Sequence, residues 1–331
     1  MKHTIQKIVL ILLCVCLCAA PLFSCANKNE RPVAKSGGYE VLFEELRFVI
    51  LTKKAEFKKI YSEDVFDTPE GIAAHREEFE AAVIELLKEN YVVLAACSHY
   101  LPNLKIDDKS ITEAVDAMME ETIEQMGGKD AFKEYAEAIF MTENLMRFTL
   151  AVYQMEVALL AELAARNEFF ASDEETEFLE WIRQGNGAYV QHLFIRNDEE
   201  DDVEANRALA QEARALLLSG EKNINSLVGN SRYNEDTLNT APYYMIRGVY
   251  DEALEATALT LPEAGAVSTI VETDEGFYVF VRLADTDSQL LGQIDSLLSS
   301  YQWANTERIK ETFRSGVSFE WLESIDFFTV Q

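Results

Sequence analysis

Cysteine, histidine and basic side chains are all scarce in this chain, and each scarcity excludes a class of function. Of five cysteines, Cys14, Cys16, Cys18 and Cys25 crowd the start, and only Cys97 follows. No disulfide can therefore form within the rest of the chain. Cys97 lies in an apolar helical run, where a buried small side chain is expected. Histidines number four, and His75 and His99 lack the paired spacing of metal ligands. Lysine and arginine total 29 against 58 acidic residues, a formal net charge of −29. A surface of that sign repels phosphate backbones and excludes nucleic acid as a partner. It suits a solvated, self-repelling surface. No glycine-rich phosphate loop and no Gly-x-Ser-x-Gly elbow is present, so no cofactor and no serine nucleophile is expected. The acidic run Asp198–Asp202 lacks the glycine and spacing of a calcium loop and reads as a solvated turn, so no metal is expected there either.

What the chain does have begins with a leader. Lys2 and Lys7 are followed by an apolar run from Ile8 to Ala20 and then by Leu22-Phe23-Ser24-Cys25. A basic start, a short apolar core and small residues before a cut describe a secretory signal over residues 1–24. The run falls short of the roughly 20 residues of a membrane span. In an ordinary signal peptide Cys25 would be incidental. Leu-x-Ser-Cys also resembles the bacterial lipobox, which implies a lipid on Cys25 and a protein held on the outer face of a membrane. Residues 25–39 are polar, with Pro32 and Gly37-Gly38, and read as a flexible tether.

From Glu40 to residue 184 the apolar residues recur at helical spacing. Phe43, Leu46, Ile50, Phe57 and Ile60 mark a first helix. Thr68-Pro69 starts the next, with Ile72, Phe79, Val83, Leu86, Leu87, Tyr91 and Leu94 expected towards a core. Asp107-Asp108 and Thr142 are expected caps, Gly127-Gly128 is a stop, and Ser172-Asp-Glu-Glu175 reads as a capping box. No proline falls inside these patterns. Between Tyr189 and Asp285 the character changes to the order β-α-α-β-α-β-β. Tyr189–Arg196 opens it as a strand, Ser268–Ala284 closes it with strand-like sequence, and between them lies a helical pattern ending at Gly220. After Asp287 the helical period resumes at Leu290, Ile294, Leu297 and Tyr301. That returning piece needs an apolar surface, and the N-terminal helices are the expected one. The expected fold class is α+β. A mainly helical domain (40–184 with 287–331) carries an inserted α/β domain (185–286).

The inserted stretch resembles the parvulin-type peptidyl-prolyl isomerases. Val190-Gln-His192-Leu-Phe-Ile-Arg196 resembles their opening strand, and the alanine-rich helix ending at Gly220 resembles the helix that follows. Tyr243-Tyr-Met-Ile-Arg-Gly248 leading into Leu254, Leu259 and Leu261 is similar to their aromatic strand, turn and helix. Gly265-Ala-Val-Ser268 and Gly276-Phe-Tyr-Val-Phe280 are similar to their closing strands. With a lipoprotein-like leader and flanking helices, the whole looks like the PrsA- and SurA-type foldases of bacterial envelopes.

The resemblance implies an envelope foldase or chaperone, whose partners are unfolded or partly folded exported proteins. It implies a proline-binding site carried position by position. The first family histidine falls on His192, the second on Tyr278, and the acidic or cysteine position on Tyr233. The proline pocket falls on Tyr250, Leu254 and Leu259, with Tyr244 on the aromatic strand. The glycine-rich loop before that strand reads Leu238-Asn-Thr-Ala-Pro242, without its glycines. Catalysis of this kind needs no nucleophile, only a site that favours the twisted amide over the planar one. The scaffold positions are kept better than the catalytic ones. That leaves two expectations open: a groove rebuilt with tyrosines, or a binding module that has lost most of its isomerase activity. A surface lipoprotein scaffolding one folded partner is the alternative from another class.

Overall fold

Threonine side chains cap two of the first five helices. The computed structural model describes residues 30–166, 168–197, 203–236 and 241–331. The leader, Cys25, the acidic run Asp198–Asp202 and most of the loop 238–242 therefore lie outside the described residues. Helix α1 spans Phe43–Ile60, α2 Pro69–Tyr100, α3 Lys109–Gln125, α4 Lys129–Ala138 and α5 Glu143–Ala165. Thr68 caps α2 by accepting from the Gly71 amide at 3.1 Å, and Thr142 caps α5 by accepting from Leu145 at 3.0 Å. Asp108 stands at the start of α3, but its carboxylate accepts from Lys105 upstream. The expected capping box at Ser172 does not form. Helix α6, Glu175–Trp181, starts three residues later, and the Glu174 carboxylate accepts from Ala171.

The expected tether is in part a strand. Strand β1, Pro32–Ser36, pairs antiparallel with β2, Tyr39–Leu42, and Val33 and Ala34 are fully buried. The two residues between the strands are Gly37 and Gly38, both at positive φ (56° and 91°), the requirement of the tightest hairpin turns. On its other side β1 pairs with β7, Glu320–Trp321, from the far end of the sequence. The Leu322 amide donates to Val33. Lys54 Nζ donates to the carbonyls of Phe328 and Val330 at 2.8 and 2.7 Å.

By internal contacts the chain forms two compact units. One takes the described residues up to Glu162 together with Ile309–Gln331, and the other takes Leu163–Arg308. In the first, Phe57 packs edge-on against Phe79, and Tyr91 against Phe319. Cys97 is buried, with its thiol directed at the Met155 carbonyl. Burial pushes that thiol up to about 12, so it stays protonated. Lys310 pairs with Glu156 in a nearly buried ion pair.

The second unit holds a four-stranded antiparallel sheet in the order β4-β3-β6-β5. Its strands are β3, Gly187–Arg196, β4, Tyr243–Ile246, β5, Val271–Thr273, and β6, Gly276–Arg282. Helices α7, Val203–Leu218, α8, Ile224–Val228, and α9, Glu252–Ala258, complete the order anticipated above. Two short helical pieces follow the sheet: α10, Asp287–Leu291, and the start of α11, Ile294–Arg314. The returning apolar residues were expected on the N-terminal helices. Leu290, Ile294, Leu298 and Tyr301 pack with Phe178 and Ile182, from the end of the expected helical domain, and also with Tyr244 and Ile246 of the sheet, while further on Phe319 packs against Tyr91 and Phe328 against Phe79. The sheet residues take part because Asp285, just beyond the end of β6, lies only five residues before Leu290.

Two adjacent carboxylates, Glu44 and Glu45, are buried in the first turn of α1, where the helix dipole favours negative charge. Tyr91 Oη donates to Glu45 at 2.8 Å, and Thr142 Oγ1 donates to Glu44 at 2.5 Å. Burial nonetheless raises Glu45 to about 7. Its folded value lies above its unfolded one, so the stability it contributes is complete below about 4.5 and is lost as the pH rises through 7. Glu45→Gln mimics the protonated acid. Its unfolding free energy, relative to wild type in urea titrations, is expected to climb between pH 4.5 and 7 and to level off above. A difference independent of pH would refute this.

Candidate functional site

Along β3 successive side chains alternate between the two faces of the sheet. Ala188 and Val190 belong to the core under α9, with Met245, Ala258, Leu259, Leu261, Val271 and Phe280. Leu193 and Ile195 face α7 with Ala210, Ala213, Phe277 and Val279. His192 shares its parity with Val190 and thus lies on the α9 face, opposite Phe280 of β6 in the register. Two places further along, Phe194 is opposite Tyr278, and the two rings stack with centroids 4.5 Å apart.

His192 is 5% exposed and both ring nitrogens have partners. Nδ1 lies 3.0 Å from Tyr243 Oη, and Nε2 lies 3.2 Å from Asp236 Oδ2. Neither partner was expected. Asp236 is delivered by a segment without regular structure, tied to the backbone of a single residue of β3. The Phe194 amide donates to Asn234 Oδ1 at 3.0 Å, and the Phe194 carbonyl accepts from Glu235 at 2.8 Å. Asn234 Nδ2 then donates to the Asp236 carbonyl at 2.8 Å. Tyr243 opens β4 opposite Val190. Its phenol extends along the sheet to the imidazole two residues away on β3.

The sequence-derived candidates divide between the two faces. Tyr278 is half-buried beside His192, with ring centroids 5.6 Å apart. Tyr250 is 40% exposed, and its ring lies 5.7 Å from that of Tyr243. It is held by its turn: the amides of Val249 and Tyr250 both donate to Glu255 Oε1, at 2.8 and 2.7 Å. Leu254 and Leu259 line the same face under α9. Tyr244 is on the opposite face, 2% exposed, with its hydroxyl 3.2 Å from Asp285. Tyr233 is also away from His192. It is buried among Leu193, Ala213 and Leu227, and its hydroxyl donates to Glu212 at 2.7 Å. The acidic position beside the histidine is thus occupied by Asp236, three residues beyond Tyr233. Strand alternation places Tyr243 and Tyr244 on opposite faces, and only the register with β3 says which one meets the imidazole; nothing periodic marks Asp236.

Burial controls the electrostatics. It lowers the pKa of His192 against the pull of Asp236, which favours the charged ring. It raises Tyr278 to about 12, with Glu275 and Asp236 adding to the effect. Tyr243 is raised further, again chiefly by burial, with Tyr250, Tyr278 and Asp236 contributing. The cluster therefore works with neutral phenols and a neutral imidazole. It can bind an apolar ring and hydrogen-bond an amide, and it holds no phenolate nucleophile. Among the described residues no group of three or more His, Cys, Asp or Glu could hold a metal ion.

No protein-family model matches the chain, and no curated protein matches it. Among solved structures it is similar to the peptidyl-prolyl isomerase PrsA of Bacillus anthracis. The match covers 70% of this chain and 97% of that one, at 12% identity and a TM-score of 0.40. It is similar to the foldase protein PrsA of Streptococcus pneumoniae over 81% and 91%, at 11% identity and 0.32. It is also similar to a structure from a study of two SurA-like chaperones of Campylobacter jejuni, PEB4 and Cj1289, over 74% and 89%, at 13% identity and 0.28.

His192 is neutral in the fold at pH 7, and its folded pKa lies below its unfolded one. The unfolded chain binds the extra proton first, so the stability this ring contributes is complete above about 6.5 and falls as the pH drops below it. The destabilisation caused by His192→Gln is expected to be largest near pH 8 and to shrink towards pH 5, in denaturant titrations against wild type. A cost that grows on acidification would contradict the arrangement.

Proposed function

We propose that this chain is an extracytoplasmic foldase of chaperone type, held at a membrane by lipid on Cys25. Its sheet-bearing unit binds X-Pro segments of unfolded or partly folded exported proteins. The observation that supports this best is the Asp236–His192–Tyr243 line of hydrogen bonds beside exposed Tyr250 and half-buried Tyr278. A segment rich in proline needs an aromatic surface for its ring and a few fixed polar groups for its amides. The face under α9 offers both.

Peptidyl-prolyl isomerisation belongs to this proposal as a weak activity. A fast isomerase must stabilise the twisted amide more than the planar one, by groups aimed at where charge develops. Here both imidazole nitrogens are committed within the fold, which leaves binding as the principal function of the site. Exposed Tyr250 is its expected anchor. Removing an aromatic anchor costs about 1–2 kcal/mol in interfaces, so Tyr250→Ala is expected to weaken binding of a proline-containing peptide by roughly ten-fold. Peptide titration followed by NMR reads this directly. Shifts that avoid His192, Tyr250 and Tyr278 would sink the proposal. In a proline-limited peptide assay the full chain is expected to exceed buffer only modestly.

The anchor is supported by the basic start, the apolar run and Leu22-Phe23-Ser24-Cys25. Cys25→Ser is expected to move the chain from the membrane to the soluble fraction. Retention in the membrane would refute lipidation at this residue.

A further inference from the structure

His192 has two hydrogen-bond partners and, in its neutral form, one hydrogen to share between them. An ionised Asp236 can only accept, so the hydrogen sits on Nε2 and points at the carboxylate. Nδ1 is then an acceptor, and Tyr243 Oη at 3.0 Å must donate to it. This direction is stable because burial keeps the ring neutral and keeps the Tyr243 phenol protonated. The consequence falls on the outer end of the line. With its hydrogen turned inward, the Tyr243 oxygen offers lone pairs and nothing else. Its ring borders Tyr250, the exposed aromatic residue of the site. Tyr278 is a poorer candidate for reading a ligand, because its hydroxyl is bonded to Glu275.

We propose that Tyr243 reads the bound segment, with Asp236 and His192 as positioning residues that hold its hydroxyl hydrogen inward, so that its oxygen accepts from a backbone N–H. The inference rests on the reading of this unit as a binder of X-Pro segments. In a segment X-Pro-Z the proline has no N–H. When its ring lies on Tyr250, the next donor along the chain is the amide of Z. The site therefore selects segments whose residue after proline carries a free amide, and it discriminates against a second proline at Z.

The test uses the full chain and two probes. One is acetyl-Ala-Ala-Pro-Phe-amide; the other is the same peptide N-methylated at Phe. Wild type is expected to bind the first about ten-fold more tightly, the scale of one lost hydrogen bond with its acceptor left unpaired. Tyr243→Phe should bring the two affinities within about two-fold by weakening only the unmethylated peptide. Asp236→Asn provides a second variant. Its amide can donate to Nε2, which moves the ring hydrogen to Nδ1, turns the phenol hydrogen outward and abolishes the preference. Equal affinities in wild type, or a preference that survives in Tyr243→Phe or in Asp236→Asn, would overturn the inference and leave the binding function standing. If wild type binds neither peptide, the reading of the unit as an X-Pro binder fails first. A ligand-free measurement decides the hydrogen-bond direction on its own. Long-range nitrogen–proton NMR spectra at pH 7.5, with the His192 signals identified by their loss in His192→Gln, are expected to show the Nε2-protonated ring. The Nδ1-protonated ring would overturn the proposal.

Discussion

The site depends on an edge that strand β4 leaves open. Strand β4 pairs with β3 only as far as Val190, while β3 runs on to Arg196. Backbone groups that are buried must find partners. Beyond β4, Phe194 finds them in a side chain and an amide, Asn234 and Glu235, of an irregular segment. That pairing brings Asp236 beside His192. A longer β4 would satisfy the same backbone groups and exclude the carboxylate. The chemistry of the site thus follows from a shortage of strand.

How much of this was legible in the sequence follows the same physical division. Helices α2 and α5 could be read because Thr68 and Thr142 act locally, through hydrogen bonds to amides three residues on. The order of elements around the sheet could be read because the hydrophobic period changes where the structure does. His192 was found because it sits in a strand with clear alternation. Tyr243 and Tyr244 are adjacent, identical and on opposite faces, so only the register with β3 decides which one meets the imidazole. Tyr233 stood where a spacing pattern expected an acid. The irregular backbone after it brings in the third residue along, and no period announces that.

Elsewhere the converse holds. Ser172 looked like a cap and is not one, because the Glu174 carboxylate bonds upstream and the helix starts late. Gly37-Gly38 looked like tether sequence, yet two glycines between short apolar runs are also the requirement of a tight hairpin. The polar surroundings of Val33-Ala34 hid a strand whose partner, β7, lies at the other end of the sequence. Pairing across such a distance leaves no local trace.

Strand β7 has a temporal consequence. The sheet-bearing unit is one continuous stretch, Leu163–Arg308, whereas the helical unit needs residues from before Glu162 and after Ile309. A chain that emerges N-terminus first can complete the sheet-bearing unit while Trp321 is still inside the ribosome. Until then β1 presents an unpaired edge and α1 lacks the residues that Lys54 will hold. The loop that must close spans most of the protein, which makes the last pairing a slow step. A protein proposed to attend to the folding of others would thus spend the end of its own synthesis as a half-finished client.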